Sequence, residues 1–260
     1  MKTITAVIIG VVSLFLAVNA SAYYRAEADV QVISDRGEIF NMISHRQYDA
    51  GSTGIIKKYL EARKGENYSI VVRNPLPERI GVVVAVDGRN IISGKRSNLK
   101  NSERMYVIEP YGEARLEGWR TDKETVHRFY FTDVADSYSA RTFSDASAMG
   151  VIAVAVFREK HRPAALYEQQ PMMGSAPAAP VSPRAESKAG RSDDAGTGFG
   201  EGRYSPVHTV EFEPEAYAFQ KVLLKYEWRE TLCRKGIIRC RPEGRNRLWD
   251  DDYAPYPPAH

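Results

Sequence analysis

The side chains able to do chemistry are scattered along this chain, and the spacings that familiar catalytic sites require are missing. There is no G-x-S-x-G elbow, no H-E-x-x-H and no C-x-x-C. An S-x-x-K match, Ser97 to Lys100, lies in a polar stretch without the S-D-N and K-T-G companions of a penicillin-binding enzyme. Residues 88–96 resemble a phosphate loop only in outline. Five residues separate Gly88 from Gly94 where four are needed, and Arg96 stands where a Ser or Thr would bind Mg²⁺. The glycines of residues 196–202 read as linker, since no strand precedes them and no helix follows. The histidines, His45, His127, His161, His208 and His260, span the whole chain, and His127 reads as a packing or solvent-facing residue. Asp133, Asp136 and Asp145 fall in a Ser- and Asp-rich stretch, residues 132–147. Such a loop could hold calcium or supply two acids for glycoside chemistry, but it lacks the D-x-D-x-D-G order and reads as a solvated loop.

The strongest chemical signal is cationic. Residues 89–104 carry Arg89, Lys95, Arg96, Lys100 and Arg104 against Glu103. Residues 234–247 carry Arg234, Lys235, Arg239, Arg241, Arg245 and Arg247 against Glu243, with Trp228 and Trp249 at the flanks. Guanidinium forks beside aromatic rings suit anionic glycans, lipid headgroups or acidic protein surfaces. The competing reading is solubility and the protection of sheet edges. Trp119-Arg120 could stack a sugar or line a pocket, although a Trp in a sandwich is more often core. The candidate ligand contacts are therefore Trp119, Arg120, Arg89, Lys95, Arg96, Arg234, Lys235 and Arg239. No cofactor and no metal set is indicated. A net charge of +3 over 260 residues is too small to argue for nucleic acid.

The first 22 residues read as a cleavable secretory signal. Lys2 starts it, residues 6–18 are almost wholly apolar, and Ala20-Ser21-Ala22 forms the small-x-small cleavage pattern. The apolar run is shorter than the roughly 20 residues of a spanning helix, and no later run approaches that length. The expected address is secreted or periplasmic. In an oxidising compartment Cys233 and Cys240, with six residues between them, are expected to form a local disulfide that closes a hairpin or loop. So short a loop adds at most about 2–3 kcal/mol.

Positioning falls to β-structure. Alternation at residues 29–32, 68–72 and 126–131 marks half-buried strands, while the apolar runs at 81–86 and 151–157 suit strands buried on both faces. Asp87-Gly88 is the best hairpin turn, because a type I′ turn needs positive φ at both central residues. Residues 53–63 fit either a helix face or a strand. Units at intervals of roughly 8–14 residues predict an antiparallel β-sandwich, immunoglobulin-like or jelly-roll-like. The organisation read from the chain is a signal (1–22), a sandwich domain (23–160), a disordered Pro/Gly/Ala-rich linker (161–203), C-terminal strands completing the same domain (204–241) and a flexible tail (242–260). Strands are expected at 207–212 and 221–230.

Together these features point to an exported, soluble, non-enzymatic β-domain serving as a cell-envelope or extracellular binding or structural module. Its partner would be an envelope component, an anionic glycan or another protein. The alternatives are a carbohydrate-active hydrolase using acids of residues 133–145 with Trp119 as sugar platform, and a subunit of a surface assembly.

Overall fold

The computed structural model describes residues 27–45, 54–160 and 194–240. The expected signal, residues 161–193 of the expected linker, Arg241, and the expected tail with Arg245, Arg247 and Trp249 lie outside the described residues. In chain order the strands are β1 (Asp29–Ser34), β2 (Met42–Ser44), β3 (Ile55–Ala62), β4 (Asn67–Arg73), β5 (Ile80–Val86), β6 (Arg89–Asn90) and β7 (Tyr106–Ile108). They continue as β8 (Glu113–Leu116), β9 (Gly118–Arg120), β10 (Thr125–Asp133), β11 (Val151–Arg158), β12 (Ala195–Thr197), β13 (Gly202–Tyr204) and β14 (Gln220–Trp228). Two short helices, α1 (Tyr138–Phe143) and α2 (Arg229–Arg234), complete the set.

The strands form two sheets, one ordered β1-β4-β10-β12 with β8, β9 and β13 attached, the other β2-β3-β14-β11-β5-β6 with β7 on β5. Their inner faces share one core in which Val32, Tyr68, Ile70, Phe129 and Phe131 of the first sheet join Leu60, Val84, Ile152, Val154, Leu224 and Tyr226 of the second. This is a β-sandwich, as the strand periodicity implied. One pair departs from the antiparallel expectation, since β3 runs parallel to β14. The long stretch of chain between them removes the hairpin constraint that enforces antiparallel pairing. Residues 53–63 resolve as strand β3 from Ile55 onward.

All seven residues of β5 are buried. The inner side faces the sandwich core, and the outer side, through Val83 with Ala155 and Phe157 of β11, is covered by Leu99, Met105 and Ala218. Two-sided burial explains the unbroken apolar run. Asp87 (φ 49°) and Gly88 (φ 77°) turn the chain between the paired residues Val86 and Arg89, as a type I′ hairpin requires.

Three expectations need correction. Residues 207–212 form no strand. Val207 N–H bonds to the Lys123 carbonyl, Val207 and Phe212 are half-buried with Phe212 against Gly81, and the four residues between them are exposed. Two separated anchors, without a ladder, underlie the apparent alternation. Residues 194–203 are ordered and not linker, because β12 and β13 both pair with β10. Gly196 is there for close approach, as a Cβ would lie 2.7 Å from the Ser137 Cβ. Within 132–147 the chain forms a 3₁₀ turn and helix α1, capped by the Ser137 hydroxyl accepting from Ala140 N–H, where a solvated loop was expected.

The first sheet bends where β8 leaves β4 and β9 joins β10. At the bend a Cβ on Gly118 would sit 2.1 Å from the His127 carbonyl oxygen, which the ladder holds rigidly. Gly118→Ala should lower stability by at least about 2 kcal/mol in urea unfolding, as overpacking against fixed backbone does.

Candidate functional site

Asp87, at the turn after β5, has its carboxylate inside the sandwich. Its Oδ1 accepts from Gly150 N–H at 2.8 Å and from the Tyr226 hydroxyl at 2.5 Å, and its Oδ2 accepts from Thr197 N–H at 2.7 Å. The Thr197 hydroxyl bonds the Tyr226 hydroxyl at 2.7 Å and the Tyr68 hydroxyl at 2.8 Å. One carboxylate thus ties together the β5 turn, the start of β11, β12 and β14, and through Tyr68 reaches β4. Burial pushes the Asp87 carboxyl from 3.8 up to about 6, against the hydrogen bonds that favour its ionised form. Burial likewise raises both tyrosines well above 10.0. A raised carboxyl in a cleft is a catalytic signature, but Asp87 is 1 % exposed and its oxygens are taken by internal donors. This is a structural lock. The sequence showed Asp87 only as a turn residue; its partners Gly150, Thr197 and Tyr226 carry no motif.

The candidate contacts of the first basic cluster divide by partner. Arg89 is pinned, with Asp145 at 2.8 Å and the Phe143 ring beneath its guanidinium at 4.0 Å. Burial opposes ionisation of Asp145, but two bonds from Ser147 and the Arg89 and Arg96 cations outweigh it and hold the carboxyl below its ordinary range. Lys95, Arg96, Lys100 and Arg104 are exposed. Their backbone is fixed from within. The Asn90 side chain accepts from Ile92 and Ser93 N–H and donates to the Arg104 carbonyl, and Glu103 Oε1 accepts from Asn98 and Lys100 N–H. Burial raises the Glu103 pKa, yet these donors prevail and keep it lowered. The one acid of the loop is consumed in shaping it, and the cations stand outward.

In the second cluster Arg234 and Lys235 follow from α2, and Arg239 lies beyond the Gly236 turn; all three are exposed. Lys235 Nζ meets Oε1 of the buried Glu227 at 2.5 Å, and Arg234 donates to the Thr231 hydroxyl at 3.2 Å. Cys233 and Cys240 form a disulfide with Cα atoms 5.6 Å apart. It closes the helix end, not a hairpin.

Trp119 offers no platform. It is buried between Phe129 and Tyr138, and its indole N–H donates to the Gly198 carbonyl at 2.9 Å. Arg120 braces residues 106 and 205, with Nε to the Tyr106 hydroxyl and the remaining nitrogens to Ser205. His127 and Tyr138 each stack on Phe199, which is 37 % exposed. Asp133 pairs with Lys64 while Asp145 pairs with Arg89, which commits the two acids to separate ion pairs. At the opposite end of the second sheet a cleft of about 460 Å³ is lined by Glu78, Arg158, Glu159, Lys160 and Glu215. Four of its five charged residues are engaged in ion pairs, Arg158 with Glu78, Glu159 with Arg79 and Lys160 with Glu213. Among the described residues no three His, Cys, Asp or Glu side chains gather as metal ligands, and no helix is long and apolar enough to cross a membrane.

No known family, curated protein or solved structure matches this chain.

Two outcomes follow from this geometry. Between about pH 4 and 6 the native protein holds a proton on Asp87 that the unfolded chain has released. The stability this confers is complete below pH 4 and is lost as pH rises through 6, by about 3 kcal/mol in all. Urea unfolding at pH 4 and pH 7 should show that component, and Asp87→Asn, though less stable throughout, should lack it. The double replacement of Cys233 and Cys240 by Ser should cost no more than about 2–3 kcal/mol. Hydrogen exchange should show the loss confined to α2 and the residues after it.

Proposed function

We propose that this protein is an exported, non-enzymatic β-sandwich that binds an anionic component of the cell envelope or extracellular surface through the loop of residues 89–104. The observation that carries the reading is the internal fixing of that loop. Asn90 and Glu103 spend their side chains on its backbone, while Lys95, Arg96, Lys100 and Arg104 remain exposed. A preorganised cationic loop loses little freedom on binding, so more of its electrostatic attraction appears as affinity. A loop serving solubility alone has no need of such fixing. The leader-like residues 1–22 and the Cys233–Cys240 disulfide support an oxidising, exported setting.

The site's other acids do not favour a hydrolase. Asp133 and Asp145 are committed to Lys64 and Arg89, and Trp119 has no open face.

Replacing Lys95, Arg96, Lys100 and Arg104 together by Glu should leave the melting temperature within a few degrees of the wild type. It should also abolish retention on an anionic glycan matrix that holds the wild type at low salt. Retention by the variant equal to that of the wild type would remove the loop from the binding surface.

A further inference from the structure

The two basic clusters are more than a hundred residues apart in sequence, yet the topology delivers them to the same end of one sheet. β5 and β14 each pair antiparallel with β11, so they run in the same direction. Ile152 faces Val86 on one side and Leu224 on the other, which puts the Asp87-Gly88 turn level with Lys225. The cationic loop leaves from the end of β5, and α2 leaves from the corresponding end of β14. With one strand between them, their axes are about 10 Å apart.

The tip of the loop brings Arg96 opposite Arg89, with Lys95 bonded through its carbonyl to Asn90 N–H. Lys225 lies between the clusters, its Nζ donating to the Met149 carbonyl at 2.8 Å and standing 3.7 Å from Glu227. Lys235 shares that carboxylate from the far side. Glu227 is 1 % exposed and pairs with both lysines, so it offsets one of their two charges and leaves a net positive charge there. Asp145, the acid nearest the loop, is covered by Arg89. The exposed cations at this end are Lys95 and Arg96 on the loop and Arg234, Lys235 and Arg239 at the α2 end, against the exposed Glu230 of α2, with the half-buried Lys225 on β14.

We infer that this end of the sandwich is a single composite surface for a linear polyanion, one chain of which contacts the 89–104 loop and the α2 end together. The inference rests on the binding role proposed for the loop and extends it to the ligand's form. A small anion satisfies one cluster only, whereas a chain with repeated charges joins both and gains from the second contact being intramolecular. A flat lipid surface fits less well. Phe143, an exposed large apolar residue beside the loop, has one ring face covered by the Arg89 guanidinium and its edge against Tyr138, which leaves little apolar surface for insertion.

Calorimetric titration with inorganic pyrophosphate, long-chain inorganic polyphosphate and phosphatidylglycerol vesicles tests this. Alongside the wild type, the experiment uses Lys95→Glu/Arg96→Glu as the loop variant and Arg234→Glu/Arg239→Glu as the helix variant. Long-chain polyphosphate should bind the wild type on the order of 10²-fold more tightly than pyrophosphate, and either variant should erase most of that advantage. If the loop variant loses binding and the helix variant does not, the composite surface is overturned while the loop's binding role stands. If neither variant changes polyphosphate binding, both readings fall. Vesicle binding without polyphosphate binding would overturn the linear polyanion in favour of a membrane. Salt dependence of the wild type needs no variant. A long chain bridging both clusters must weaken more steeply with salt than pyrophosphate does, and equal slopes would contradict bridging.

Discussion

One buried carboxylate holds the ends of several strands in place. Asp87 collects donors from Gly150, Thr197 and Tyr226, and Thr197 passes the connection to Tyr68 in the first sheet. β12 is only three residues long and contains a glycine, so its ladder with β10 would be a weak attachment by itself. The Asp87–Thr197 bond attaches it to the second sheet as well. The same turn launches the cationic loop, and the same register places α2 beside it. The geometry of the charged end thus follows from satisfying an acid that would be expensive to bury without partners.

The arrangement separates two uses of polar residues. Inside, acids and hydroxyls are matched donor to acceptor and fix the backbone. Outside, cations outnumber the acids beside them, because Asp145, Glu103 and Glu227 are each held in internal contacts. Asp145 and Glu227 offset part of the charge of the cations they pair with, and the exposed Lys95, Lys100 and Arg104 carry the remaining positive charge of the first cluster. The ion-paired cleft at the other end of the sheet shows the opposite pattern, with each of its arginines matched to a glutamate.

Much of the sandwich was legible in the chain. The runs at β5 and β11 announced strands covered on both faces, and Asp87-Gly88 announced its turn, since both signals depend on local chemistry. What could not be read was long-range. Thr197 sits in a glycine-rich stretch that looks like linker, and only the proximity of Ser137 and β10 shows why small residues are needed there. Asp87 gave no sign of its burial, because its donors come from three distant segments. The basic clusters were visible as composition, but their arrival at one end depends on strand order and direction. Trp119 was ambiguous between platform and core until the position of Gly198 settled it as core.

The linkage between the two sheets depends most directly on Asp87 being a buried, hydrogen-bonded carboxyl, and its ionisation can be watched without perturbing the protein. Carbon-13 NMR of the aspartate side-chain carboxyls, titrated from acid to neutral pH, should show one resonance with its midpoint near 6, and that resonance should vanish in Asp87→Asn. Finding every aspartate titrating at ordinary values near 4 would mean that the Asp87 side chain is solvated. The lock described here would then not exist.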